Sequence, residues 1–157
     1  MFPSLRPVLN KGGAGRYISR GESVSRLLPV SDRHLDLLQA YDQALATMPE
    51  GPGRTQIEAM MPYLRTEVAK ISETILSLGG TPDTGVTREP LAPRADASEG
   101  DLVQRLLEAE TNFEGALRDE VDAVHHQERT RAILNHNADA SVARRDLLRG
   151  VVAGLGR

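Results

Sequence analysis

The segment RTQIEAMMPYLRTEVAKISETILSLGG, residues 54–80, decides the fold class. Its apolar residues recur at intervals of three and four, the spacing of one face of an α-helix. They are Ile57, Met60, Met61, Leu64, Val68, Ile71, Ile75 and Leu78. We predict a capping box of Thr55 and Glu58 at its start and a stop at Gly79-Gly80. Pro62 is expected either to kink the helix or to separate its first turn and a half as a short piece. Because one amphipathic helix cannot bury its apolar face alone, the rest of the chain is expected to supply partner helices.

The composition favours an all-α fold with a single core. A chain of 157 residues is long enough for one domain, and only 3% of it is aromatic, with no Trp. Such a core must consist of aliphatic residues and Met, whereas β-sandwiches depend more on aromatic and β-branched residues. The absence of Cys excludes disulfides and thiolate metal sites. No apolar run reaches the roughly 18 residues of a membrane span, so we expect no membrane insertion.

A first partner helix is predicted over residues 32–48, with Ser31 as its N-cap. Its apolar face would contain Leu35, Leu38, Tyr41, Leu45 and Met48. The short turn at residues 49–53 then implies an antiparallel hairpin with the helix of residues 54–80. Residues 79–97 contain three Gly and three Pro and are predicted to be coil. At about 3.3 Å per residue this segment could return along the whole bundle as a long crossover, although a plain linker fits equally well.

Residues 31–150 are predicted to form a four-helix bundle, and the part that follows the coil at residues 79–97 supplies its second pair of helices. Ser98 and Asp101 have the spacing of a capping box at the start of the third helix. Two positions for the last turn are open: residues 118–122, with a fourth helix over 123–149, or residues 135–139. We favour the first because it gives helices of similar length. The C-terminal sequence ARRDLLRGVVAGLGR contains a twin-arginine pattern but is interpreted as a helix end, followed by a Gly-rich tail at residues 151–157.

The N-terminal residues 1–30 are predicted to be a basic, extended arm, since they contain four Gly and three Pro. They carry five basic residues and one acidic residue, whereas residues 31–157 carry 14 basic and 21 acidic residues. We expect the arm to bind an acidic or apolar surface of a protein partner or of another copy in a homo-oligomer. The predicted partner-binding residues are Leu5, Arg6, Arg16, Tyr17, Ile18 and Arg20. Nucleic-acid binding is not favoured because the arm has only two aromatic rings for stacking.

Three segments carry a resemblance to a known family: LLQAYDQAL at residues 37–45, LRTEVAKISETILSLGGTP at 64–82 and LLEAETNFEGALRDEV at 106–121. Together they resemble the ferritin-like four-helix-bundle superfamily, in particular a bacterial two-hairpin domain family of unknown function. The resemblance covers roughly residues 35–150. It implies an antiparallel four-helix bundle and a bacterial, cytoplasmic setting.

A ferritin-like di-iron site requires a Glu from two helices and a Glu-x-x-His from the other two. This chain has Glu67 followed by Lys70, and its one related pattern is Asp122-x-x-His125. An alternative hypothesis is therefore a depleted iron or manganese site for metal storage or oxidation. Its ligands would be Asp42, Glu67, Glu110, Asp122 and His125. The preferred interpretation is that no metal binds and that these groups face water or pair with Lys70, Arg65 or Arg131.

Motifs for catalysis are absent from the sequence. There is no Cys nucleophile and no Gly-x-Ser-x-Gly elbow, and Gly12-Gly13-Ala14-Gly15 lacks the Lys-Ser/Thr of a phosphate-binding loop. We therefore expect a non-catalytic interaction or accessory subunit that docks through its arm and its bundle surface, without a cofactor.

Overall fold

The computed structural model describes residues 19–124 and 128–156, and within them the protein is all-helical, without strands. Four helices form it: α1 (Arg20–Thr47), α2 (Pro52–Ser77), α3 (Glu99–Ala123) and α4 (Glu128–Leu155). The predicted all-α class with four helices is confirmed.

Helix α1 starts twelve residues earlier than predicted. Ser19 is its N-cap and accepts a hydrogen bond from the Glu22 amide at 3.1 Å, while the predicted cap Ser31 lies buried within the helix. The prediction of an extended arm through residue 30 is therefore wrong for residues 20–30. Leu27 and Val30 continue the apolar face of α1 into the core, and their burial stabilises helix around Pro29, which lies on the exposed side.

Helix α2 begins differently from the prediction and ends as predicted. Gly51 is its N-cap, Pro52 occupies the first turn, and there is no side-chain cap, so the Thr55–Glu58 capping box is wrong. The Thr55 hydroxyl instead donates to the Gly51 carbonyl at 3.0 Å. The helix continues through Pro62. Gly79 has φ 87°, a left-handed conformation that favours glycine and ends the helix.

The boundaries of α3 and α4 settle the two open turn positions. Ser98 and Asp101 form the predicted capping box. Helix α3 ends at Ala123 and α4 starts at Glu128, so the favoured turn was placed a few residues too early. The alternative turn at residues 135–139 is wrong, because these residues lie within α4. Helix α4 also continues to Leu155, through most of the segment predicted as a tail.

The four helices pack in a ring around one core. Helix α1 contacts α2 and α3, and α4 contacts the same two helices, with the most extensive contact between α3 and α4. The largest fully buried apolar side chains come from all four helices: Leu27, Ile57, Leu64, Ile71, Ile75, Leu106, Leu117, Leu134 and Leu148. None of the helices in the described residues has both the length and the apolar character needed to cross a membrane.

The connection between α2 and α3 lies against α1. The Gln39 side chain donates to the Glu89 carbonyl at 2.8 Å, and the Arg94 amide donates to the Thr47 hydroxyl at 3.1 Å. Arg88 binds Asp83 at 3.0 Å and also pairs with Asp36 on α1. These contacts hold residues of the connection against the second half of α1.

Candidate functional site: a charged cluster in the bundle core

Five polar residues meet in the middle of the bundle, and we call them the core cluster: Tyr41, Glu67, Glu110, Ser141 and Arg144. All are at most 9% exposed. Tyr41 comes from α1, Glu67 from α2, Glu110 from α3, and the other two from α4. Each occupies a position on the inward face of its helix, where the neighbouring buried residues are mainly apolar. Packing of the four helices therefore brings the five side chains together.

Arg144 is the centre of the core cluster. Its Nε donates to Glu110 Oε1 at 2.5 Å and its Nη2 donates to Glu110 Oε2 at 3.2 Å, which is a bidentate pair. Its Nη1 donates to Glu67 Oε2 at 2.5 Å. One guanidinium thus links carboxylates from two different helices to a third helix. Burial alone would lower the pKa of Arg144, but the hydrogen bonds and charge of Glu110, together with the charge of Glu67, hold it above its ordinary value.

The two carboxylates have unequal surroundings. Glu110 also accepts the Tyr41 hydroxyl at 2.6 Å on Oε1 and the Ser141 hydroxyl at 2.5 Å on Oε2, so both of its oxygens are satisfied. Among the described residues, Glu67 accepts one hydrogen bond, from Arg144 on Oε2. Burial raises the pKa of Glu67 in spite of the opposing charge and hydrogen bond of Arg144. Glu67 is therefore the carboxyl of the cluster whose charged form is less well stabilised.

His34 lies on α1 and is fully buried. Its ring stacks on Phe113 with 4.8 Å between ring centroids and 28° between planes. Neither Nδ1 nor Nε2 has a hydrogen-bond partner among the described residues. Burial, and secondarily the charge of Arg144, lowers the pKa of His34 from 6.5 to about 3, so the buried ring is neutral at ordinary pH.

A groove between α2 and α4 reaches the core cluster from the surface. This α2–α4 groove has a volume of about 430 Å³. Its lining residues are Gln56, Ala59, Met60, Tyr63, Leu64, Glu67, Ala140, Ala143, Arg144 and Leu147. Tyr63 is 73% exposed, whereas Glu67 and Arg144 are the buried polar groups of the lining. The groove is therefore an apolar surface depression with charged groups at its deepest part.

The structure describes four of the five residues proposed as metal ligands and does not bring these four together. Glu67 and Glu110 come together, but on the guanidinium of Arg144. Asp42 is exposed and pairs with Arg65 at 3.3 Å, one of the pairings expected from the sequence, and Asp122 is also exposed. His125 lies outside the described residues. Within the parts of the chain that the structure describes, no three His, Asp or Glu side chains form a group that could hold a metal ion.

The structure describes only one of the predicted partner-binding residues. Arg20 is the exposed first residue of α1, so it belongs to a helix and not to an extended arm. The other five, Leu5, Arg6, Arg16, Tyr17 and Ile18, lie outside the described residues.

Arg144 was missed as a site residue, although the sequence contains a signal for it. Buried residues of α4 recur at Ala138, Ser141, Arg144, Leu148 and Val151, at the spacing of one helical face. An arginine within such a face needs carboxylate partners on the neighbouring helices. The twin-arginine pattern groups Arg144 with Arg145. In the structure the two are separate, because Arg145 binds Glu114 at 2.6 Å in a less buried ion pair.

Comparisons of the sequence with protein-family models and with curated proteins gave no match. The functional assignment therefore depends on the residues and their geometry.

Proposed function

We propose that the protein is a non-catalytic interaction or accessory subunit of the bacterial cytoplasm, built as an antiparallel, ferritin-like bundle. Cross-helix contacts support this topology. Arg54 near the start of α2 binds the Met48 carbonyl at the end of α1. Arg26 near the start of α1 pairs with Glu120 near the end of α3 at 3.2 Å. With the connection along α1, these contacts fit two hairpins joined by a long crossover.

The observation that carries the proposal is the position of Arg144. In a di-metal bundle, carboxylates from several helices converge on cations in the core. Here Glu67 and Glu110 converge on a guanidinium that the chain itself supplies. Such a cluster neutralises buried charge and fixes how the helices pack, and it leaves both oxygens of Glu110 occupied. We therefore place the function on the surface of the bundle and assign no metal to its core.

The chain offers two candidate places for a protein contact. One is the basic N-terminal segment, for which docking to an acidic or apolar surface of a partner was predicted from sequence. The other is formed by exposed apolar side chains: Tyr63 and Leu76 on α2 are 73% and 59% exposed, and Val86 in the α2–α3 connection is 85% exposed.

The proposal is tested with tagged full-length protein and a variant lacking residues 1–18, both expressed in the source cell. We expect the full-length chain to co-purify with a stoichiometric partner, or to form a larger oligomer by light scattering, and the deletion to lose it. Equal thermal unfolding midpoints would show that the deletion leaves the bundle intact. Unchanged partners and unchanged mass in the deletion variant would refute docking through the N-terminal segment.

A further inference from the structure

The α2–α4 groove contains a carboxylate oxygen without a protein partner. Glu67 lines the groove, and its side chain is 11% exposed. Its Oε2 accepts the hydrogen bond from Arg144, whereas its Oε1 accepts none from the described residues. Oε1 is not one of the buried polar atoms that lack a partner, so it is accessible from the groove. Among the described residues, Glu67 Oε1 is therefore the one carboxylate oxygen of the core cluster that is open to a ligand.

The charges around this oxygen favour a cation. Glu67, Glu110 and Arg144 together carry one excess negative charge when all three are ionised. Glu110 shares the guanidinium in a bidentate pair and also accepts two hydroxyl groups, so its charge is well compensated. The less compensated charge therefore lies on Glu67, which has one hydrogen bond from Arg144 and lies on the side of the groove. Burial raises the pKa of Glu67 against the opposing charges of Arg144 and His136.

The walls of the groove define the rest of the ligand. They consist mainly of apolar and small side chains: Ala59, Met60, Leu64, Ala140, Ala143 and Leu147. The volume of about 430 Å³ lies within the range of small-molecule sites, roughly 300–1,000 Å³. An apolar chain would find contacts along these walls, and its charged end would reach Glu67.

We propose that the α2–α4 groove binds a hydrophobic primary amine, with the ammonium group donating to Glu67 Oε1 and the apolar body between α2 and α4. We prefer an ammonium ligand to a guanidinium ligand because the ammonium is compact and places its full charge next to one oxygen. A guanidinium ligand would need more space beside the guanidinium of Arg144. A carboxylate ligand would be repelled by Glu67. A neutral alcohol could donate one hydrogen bond, but a bond to an ionised donor is about twice as strong.

The test uses full-length protein and three probes with the same alkyl chain: n-octylamine, n-octanol and n-octanoate. Dissociation constants are measured by NMR chemical-shift titration. We expect n-octylamine to bind about tenfold more tightly than n-octanol, corresponding to one charge-assisted hydrogen bond, and n-octanoate more weakly than either. The shifted amides should belong to α2 and α4 around Glu67 and Ala143.

Three variants separate the charge from the apolar walls. Glu67→Gln should reduce n-octylamine affinity to that of n-octanol, whereas Glu73→Gln, at an exposed position of α2, should leave the tenfold preference unchanged. Ala143→Phe fills the groove from an exposed position and should abolish binding of both probes. If Glu67→Gln does not fold, Ala143→Phe still decides whether the groove is the site.

The inference is overturned if n-octylamine binds no better than n-octanol, or if its preference persists in Glu67→Gln. It is also overturned if the wild-type chain is a dimer that Ala143→Phe dissociates and no probe binds, because a second copy then covers the groove. These outcomes concern the groove alone. They are distinguishable from the failure of the proposed docking function, which is measured by deletion of residues 1–18.

Discussion

His34 gives the sharpest prediction about stability, because it buries two unpaired ring nitrogens in the core. We consider His34→Leu, which replaces the ring with an apolar side chain of similar volume. Removing a buried group without a hydrogen-bond partner recovers about 1–3 kcal/mol, and loss of the ring contact with Phe113 costs about 0.5–1.5 kcal/mol. At pH above 7 we therefore expect His34→Leu to raise the free energy of unfolding by about 1 kcal/mol.

Acidification should widen this difference. The pKa of His34 is lowered from 6.5 to about 3 in the folded chain, so below 6.5 the unfolded chain takes up a proton that the folded chain does not. The contribution of the neutral His34 ring to the free energy of unfolding is fully retained above pH 6.5 and is lost as the pH falls toward 3. At about pH 5 the loss amounts to about 2 kcal/mol in the wild type. The raised pKa of Glu67 acts in the opposite direction in both proteins and cancels in their difference.

Urea denaturation followed by circular dichroism at both pH values measures the effect. The advantage of His34→Leu should grow from about 1 kcal/mol above pH 7 to about 3 kcal/mol near pH 5. An advantage that does not grow on acidification, or a His34→Leu variant that is less stable at both pH values, would show that burial of a neutral His34 does not limit stability.

Three further substitutions test the packing. Arg144→Ala leaves two buried carboxylates without their cation and should lower the free energy of unfolding by about 3–5 kcal/mol in urea denaturation; a loss below 1 kcal/mol would contradict the central role of the guanidinium. Gly80→Ala brings a Cβ to 2.6 Å from Val24 Cγ1, so calorimetry should show that the free energy of unfolding falls by about 1–3 kcal/mol. An unchanged unfolding midpoint would mean that Gly80 does not touch Val24 of α1. Ser98→Ala removes the capping box of α3 and should cost about 1 kcal/mol, whereas Ser98→Asp should restore most of it.

The sequence predicted the helices well wherever local signals were unambiguous. The apolar spacing of residues 54–80 and the Ser98–Asp101 pair correspond to α2 and to the start of α3. The start of α1 was misplaced because Pro29 and the nearby glycines suggest a break. The cost of Pro29 to the helix is outweighed by burial of Leu27 and Val30 against the other helices. This burial depends on the tertiary fold and not on the local sequence.

The candidate site was predicted only in part. Glu67 and Glu110 were named as ligands of the alternative metal site, and the preferred interpretation placed them in water or beside Lys70, Arg65 or Arg131. That interpretation is wrong for both, because they are buried and pair with Arg144. Arg144 lies 77 residues from Glu67 and 34 from Glu110 in the chain, so no local pattern connects them. Their pairing depends on which helices are neighbours and on how far along the bundle axis each residue lies. The apolar pattern of a single helix specifies neither.

The most direct test of the central claim, that Arg144 is the cation of the core, is the metal content of the folded protein. The purified chain should be incubated with excess iron(II) and manganese(II), desalted, and measured by inductively coupled plasma mass spectrometry together with its thermal midpoint. We predict well below one metal ion per chain and the same midpoint with and without chelator. About two ions per chain, with a midpoint that falls on chelation, would show that metal ions and not Arg144 neutralise the core carboxylates.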